Sequence, residues 1–159
     1  MPTPTPMPTE AEIEQQEASL VFPEFNEETA IALGTALVAK ARAEAAPVVI
    51  NIRTPDRTLF HAAMPGSAPD NDHWARRKSN VVLRKHHASI LVGLQFARKG
   101  KTVGPNLGLD PMDFADHGGS FPIRVAGTGV IGAITVSGLA SEDDHAMIVA
   151  ALEEMLGKG

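Results

Sequence analysis

The 159-residue chain carries 14 Lys and Arg against 19 Asp and Glu, a formal net charge of -5, with 43% hydrophobic residues and no cysteine. That length suits one domain able to bury a core without cross-links, and without cysteine there is neither a disulfide framework nor thiolate chemistry. The acid excess argues against a nucleic-acid partner. No apolar run reaches the roughly 18 residues of a spanning helix, and no basic stretch leads into an apolar one as in a secretory signal, so the expected location is cytoplasmic, with no membrane partner.

In chain order, "MPTPTPMPTE" alternates Pro with small polar residues and reads as extended. Residues 1–19 are expected to form a disordered or weakly helical tail, with at most a short acidic helix from Glu10 to Ser19, ahead of a single domain over 20–159. "FNEETAIALGTALVAKARAEA" predicts a helix capped by Asn26, with Glu27 and Glu28 in its first turn. Ile31, Gly34, Leu37, Val38 and Ala41 share one face, and Gly34 there suggests close approach to a sheet. "PVVINIR" and "RTLFHAAM", around Thr54-Pro55-Asp56, predict a hairpin. Asp70 or Asn71 can cap the next helix, and "SILVGLQFARK" predicts another after a kink. Asp110 can cap a short helix over Pro111 to Asp116. "SFPIRV" and "TGVIGAITVSG" predict two strands, and Ser141 with Asp144 a capping box for a last helix buried along Met147, Ile148, Ala151, Leu152, Met155 and Leu156. Strands grouped as hairpins point to an α+β domain, an antiparallel sheet with helices on both faces.

"GTGVIG", Gly127 to Gly132, matches the dinucleotide fingerprint in its letters. The residues after it read as a strand, where phosphate binding needs a helix start, so it is taken as a turn. "DFADHGG" puts Asp113, Asp116 and His117 at i, i+3 and i+4, one side of the expected short helix. Such a set can hold a divalent metal, and His117 alone can ligate haem iron; the plainer alternative is a capped helix end.

"NDHWARRKSNVVLRKHH" holds five of the 14 Lys and Arg and the only Trp. At about 100° per residue, Trp74, Ala75, Val81, Val82 and Ala88 form the expected buried stripe, and Arg76, Ser79, Asn80 and Asp72 the far side, with Asp72 and Arg76 as an i, i+4 pair. Lys78 and Lys85 project into the stripe. A buried ammonium is costly unless it reaches water or meets a carboxylate, carbonyls, an anionic ligand or a neighbouring subunit.

"HGGSFPIRVAGTGVIGAITVSGLASEDDHAMI", "GLDPMDFADHGG" and "LFHAAMPGSAPDNDHWARRKSNVV" together resemble the haem-degrading (HbpS-like, GlcG-like) domain family, over about Leu20 to Leu156. The resemblance implies a profilin-like three-layer α/β/α sandwich with a mainly antiparallel sheet of about five strands. It also implies a homo-oligomer and, in some relatives, haem or a related tetrapyrrole as cofactor. Two functional readings follow. In one, a small anionic or tetrapyrrole ligand sits between Arg77, Lys78 and Arg84 of the basic helix and the turn of His117, Gly118 and Gly119. In the other the chain is a non-enzymatic homo-oligomeric scaffold. No nucleophile–base–acid set is visible, and whether the chain is an enzyme stays open.

Overall fold

A computed structural model describes residues 4–158; residues 1–3 of the expected tail and residue 159 lie outside them. The elements run α1 (Glu10–Ser19), β1 (Val21–Phe22), α2 (Glu27–Glu44), β2 (Val49–Arg53), β3 (Thr58–Ala63), α3 (Pro69–Lys85), α4 (Ser89–Arg98), a single 3₁₀ turn (Pro105–Leu107), β4 (Ser120–Val125), β5 (Gly129–Ser137) and α5 (Ser141–Leu156). The strands form one sheet in the order β1-β4-β5-β2-β3, antiparallel except where β1 pairs with β4. α2 and α5 cover one face and α3 the other, while α4 bridges α3 and α5 beside β4. This is the expected three-layer α/β/α sandwich.

Local chemistry explains most boundaries. Asn26 caps α2, its Oδ1 accepting from Thr29 N at 3.1 Å while Thr29 Oγ1 accepts from Asn26 N at 3.1 Å. The buried stripe of α2 is Ala30, Leu33, Gly34, Leu37 and Ala41. Ile31, expected on that face, points outward and is 47% exposed. Gly34 does meet the sheet, for a Cβ there would collide with the ring of Phe60 on β3. The hairpin between β2 and β3 closes with Thr54 N donating to Arg57 O at 2.9 Å. "GTGVIG" is the turn into β5, with Gly127 and Gly129 at positive φ, followed by a strand as read.

The two faces of the sheet differ. Ile50, Ile52, Phe121, Ile123, Ile134 and Val136 build the apolar core with α2 and α5. Strand side chains alternate, so the α3 side receives Ala133, Thr135 and Ser137. Ser120 and Thr135, both fully buried there, satisfy each other through hydroxyls 2.9 Å apart. α3 therefore lies on small, partly polar residues.

The short acidic helix from Glu10 to Ser19 is present as α1, but it is docked on the domain and not part of a tail. α1 has a complete capping box at Thr9 and Glu12, and it buries Ile13 and Glu17 in the same body. Glu17 is the reason it docks. Its carboxylate accepts from His87 Nδ1 at 2.8 Å and Arg124 Nη2 at 3.3 Å through Oε1, and from Ala88 N at 2.9 Å through Oε2. That joins α1 to the α3–α4 corner and to β4. β1, only two residues long, forms because Phe22 then lies alongside Val125. Glu17→Ala leaves the buried Ala88 N–H without an acceptor, and we expect a loss of about 1–3 kcal/mol in urea unfolding.

Candidate functional site

α3 starts at Pro69 with Ala68, not the expected Asp70 or Asn71, as its N-cap; Asn71 lies inside the first turn, its Oδ1 accepting from Ala68 N at 2.9 Å. The helix ends where His86 takes φ 61°, which puts Ala88 beyond it. The buried face is Ala75, Lys78, Ser79, Val81 and Val82. It sits one position round from the expected stripe: Ser79, placed on the far side, is fully buried, and Trp74 is half-buried.

Lys78 is 3% exposed. Its Nζ donates to Val136 O at 2.8 Å, Gly118 O at 3.1 Å and Asp144 Oδ2 at 3.2 Å, so its three protons have three acceptors. The misfit lysine meets both a carboxylate and carbonyls, inside its own domain. Gly119, at φ 127°, lets the backbone pass beside it, where a Cβ would strike Lys78 Nζ and Val136 O. Lys85, the other misfit, is exposed with its ammonium 5.7 Å from the Phe96 ring centre.

Asp144 does not form the expected capping box with Ser141. The α5 N-cap is Ala140, without a side-chain cap bond. The Asp144 carboxylate reaches back to Leu139 N at 2.9 Å and Gly138 N at 3.3 Å, and sideways to Lys78. Burial raises its pKa to about 6 against the pull of Lys78. Burial likewise lowers the pKa of Lys78, opposed by Asp144. An acceptor-only carboxylate with three donor contacts, facing an ammonium with three acceptors, is an ion pair at neutral pH.

The remaining basic residues of α3 have a different task. Arg76 donates to Met112 O at 2.8 Å and Asp113 Oδ1 at 3.2 Å, Arg77 Nε to Pro111 O at 2.9 Å, and Asn80 to Asp113 O at 2.8 Å. Arg84 lies 5.7 Å over the Phe114 ring. These groups strap residues 110–116 along the outer side of α3. The short helix expected over Pro111 to Asp116 is absent because its carbonyls serve α3 donors, while Ala115 N donates to Arg77 O at 3.1 Å. Asp110 caps only a turn, accepting from Met112 N at 2.9 Å. Without the helix, Asp113, Asp116 and His117 lose their common side. Asp113 pairs with Arg76, and no group of three or more His, Asp or Glu able to hold a metal exists among the described residues. The expected Asp72–Arg76 pair is replaced too, since Asp72 Oδ1 lies 2.9 Å from His61 Nε2.

Beyond the strap, a cavity of about 220 Å³ opens above the Lys78–Asp144 pair. Trp74 and His117 stand edge to face with ring centres 5.0 Å apart. Gly118 and Ser137 lie deeper, with Asp70, Asn71 and Ser141 also lining it. Of the expected site residues, Lys78, His117 and Gly118 line this cavity and Gly119 lies just behind Lys78. Arg77 and Arg84 turn away to the strap. Asp70, Ser137 and Asp144 were not expected as site residues. The signal for Asp144 was the need of Lys78 for an anion; Ser137 left no signal beyond its place in a strand.

A second cavity, of about 290 Å³ against α1 and α5, is lined in part by His145. His145 Nε2 meets Gln16 Oε1 at 2.7 Å, its Nδ1 has no partner among the described residues, and burial lowers its pKa to about 4.

A five-stranded sheet between helical layers, with a buried ion pair beside a His-Gly-Gly turn, defines a profilin-like α/β/α domain. The chain belongs to the haem-degrading protein HbpS-like family, whose model matches residues 25–153. It is 52% identical over 158 residues to a UPF0303 protein of Streptomyces coelicolor, covering 99% of this chain and all of that one. Among solved structures, Ybr137w is 30% identical with a TM-score of 0.83, over 94% of this chain and 88% of its own. The structure of a PduOC:heme complex shares the fold at 21% identity and TM-score 0.66, over 82% and 95% of the two chains.

Two outcomes follow for the buried charges. Lys78→Met strands the Asp144 carboxylate, and we expect a loss of about 3–5 kcal/mol in urea unfolding, with the Lys78→Met, Asp144→Leu double variant losing less than Lys78→Met alone. Asp144 and His145 also oppose each other in pH dependence. The raised pKa of Asp144 gives stability that is complete below pH 3.8 and lost as pH rises through about 6. The lowered pKa of His145 gives stability present above pH 6.5 and lost as pH falls through about 4. The stability advantage of the native chain over His145→Gln should therefore grow as pH rises from about 4 to 6.5 and stay constant above, as read by denaturant unfolding at stepped pH.

Proposed function

We propose that this domain binds a small polar molecule in the cavity above the Lys78–Asp144 pair. The observation that carries the reading is convergence: one recess gathers a saturated buried ion pair, the only tryptophan of the chain, the His117-Gly118 turn and the unpartnered hydroxyl of Ser137. Rigid, largely buried polar groups around a concave space are the usual material of a ligand site. The pair itself holds the walls in place, since α3, β5 and the start of α5 meet at it.

A tetrapyrrole does not fit this recess. Its volume of about 220 Å³ lies below the roughly 300–1,000 Å³ of pockets that enclose drug-sized ligands. His117, the single imidazole in its lining, packs against Trp74 at the rim. The resemblance to a haem-bound PduOC is at the level of the fold, so no chemistry at iron is assigned to this chain. An anionic ligand is also weakly supported, because of the cations expected to receive it only Lys78 lines the recess, with its three protons donated inside the domain, while Arg77 and Arg84 stand outside the lining.

The second reading, a homo-oligomeric scaffold, draws on the open edge of β3. Its six residues, Thr58–Ala63, contain no Lys, Glu or Pro to discourage pairing with another copy. A monomer by light scattering counts against it.

Because Trp74 lines the cavity and no other tryptophan is present, its fluorescence reports occupancy directly. We expect hits from a fragment screen to change Trp74 emission and to shift the backbone amide signals of Gly118, Ser137 and Ser141, with His117→Ala leaving any Soret change on haemin addition intact. Hits that map elsewhere, or a Soret shift abolished by His117→Ala, would overturn the small-ligand reading.

A further inference from the structure

The free carboxylate at the cavity rim carries a charge sign opposite to the one the basic helix suggests. All three protons of Lys78 are donated within the chain, to Gly118 O, Val136 O and Asp144 Oδ2. Arg77 donates to Pro111 O with its guanidinium 4.5 Å from the Trp74 ring centre. The one Asp, Glu, Lys or Arg side chain of the lining left without a partner among the described residues is a carboxylate. Asp70, in the first turn of α3, is exposed at the rim and forms no ion pair or side-chain hydrogen bond among the described residues. Ser137 is 3% exposed, on the α3 side of β5, and its hydroxyl has no partner among the described residues. That oxygen is not sealed in the interior, where the one orphan side-chain polar atom among the described residues is His145 Nδ1; it opens into the cavity that Ser137 lines.

We infer that the cavity selects a small hydroxylated organic ammonium ion, its N–H groups directed to Asp70 and its hydroxyl to Ser137, and discriminates against carboxylates and phosphates of the same size. The inference rests on the cavity being a ligand site and adds the ligand's chemical class. An ammonium at Asp70 forms a charge-assisted hydrogen bond, stronger than a neutral one. An anion would face Asp70 and Asp144 with no open Lys or Arg in the lining among the described residues. The starts of α3 and α5 near the cavity favour negative charge weakly, but their first turns already hold Asp70, Asp72, Glu142, Asp143 and Asp144, so that field is answered. The carbon skeleton of the ligand has the Trp74–His117 wall to lie against. With liquid water near 30 Å³ per molecule, the cavity volume is that of about seven waters, enough for a compact aliphatic ion.

The test compares three probes of one shape and different charge: ethanolammonium, ethylene glycol and glycolate, each titrated into the full-length protein at constant ionic strength with Trp74 fluorescence as readout. Ethanolammonium should saturate at least about tenfold more tightly than the other two, the size of one charge-assisted hydrogen bond. Asp70→Asn, a change on the surface that leaves the fold intact, should remove that preference, and Ser137→Ala should weaken ethanolammonium while leaving ethylammonium, which lacks the hydroxyl, unchanged. Equal binding of all three probes, tighter glycolate, or an Asp70→Asn variant that keeps the preference overturns the charge class and leaves the cavity reading standing. No response to any probe, in fluorescence or in the amide signals of Gly118 and Ser137, overturns both.

Discussion

One buried ammonium organises this molecule. Lys78 donates from α3 to the carbonyl at the end of β5, to the carbonyl of the turn before β4, and to a carboxylate at the start of α5. These elements lie 40 to 66 residues from it in the chain, and none can shift by an ångström without leaving a buried charge unsatisfied. A pair of this kind is a poor source of stability compared with well-packed aliphatic residues, because both ions are stripped of water. What it contributes here is position. α3 lies on small residues of the sheet, Ala133, Thr135 and Ser137, which interlock loosely and would tolerate sliding; the lysine supplies the register they lack.

The basic stretch of α3 divides into two tasks by helical phase. Lys78 points into the sheet. Arg76, Arg77 and Asn80, one or two positions round, point outward and donate to the carbonyls of residues 111–113. Each guanidinium thus replaces hydrogen bonds that this segment would otherwise find in a helix or in water. The segment leads straight into His117 and Gly118, so the strap sets where the cavity rim stands. Cation-rich composition served architecture in this helix, and the one Lys of the cavity lining is spent inside the domain.

Much of the architecture was legible because it is written in local patterns. α2 has a cap, an acidic first turn and a periodic stripe; the β2–β3 hairpin has a Pro-Asp turn between β-branched runs; α5 has its apolar repeat. β1 was illegible because two residues carry no periodicity of their own and become a strand only by lying against β4, a hundred residues on. The helix over 111–116 was misread for a related reason, since its backbone groups are recruited by α3. Ile31 and Ser79 show that a stripe read by eye is good to about one position, which is 100° of rotation. At the site, Lys78 was visible as a cation in the wrong place. Its partner was hidden because Asp144 had a sufficient local explanation as a helix cap, and long-range pairing leaves no trace at either end.

The Glu17 clasp carries a consequence for the order of assembly. The donors that hold α1 lie 70, 71 and 107 residues downstream of it. During synthesis at about 5–20 residues per second, this helix is made before its anchors: Arg124 follows several seconds afterwards, and His145, which meets Gln16 Oε1 from α5, later still. A ten-residue helix is marginal in water without tertiary support. A helix made before the sheet therefore docks after it, closing over β4 once the strands beneath it have been built.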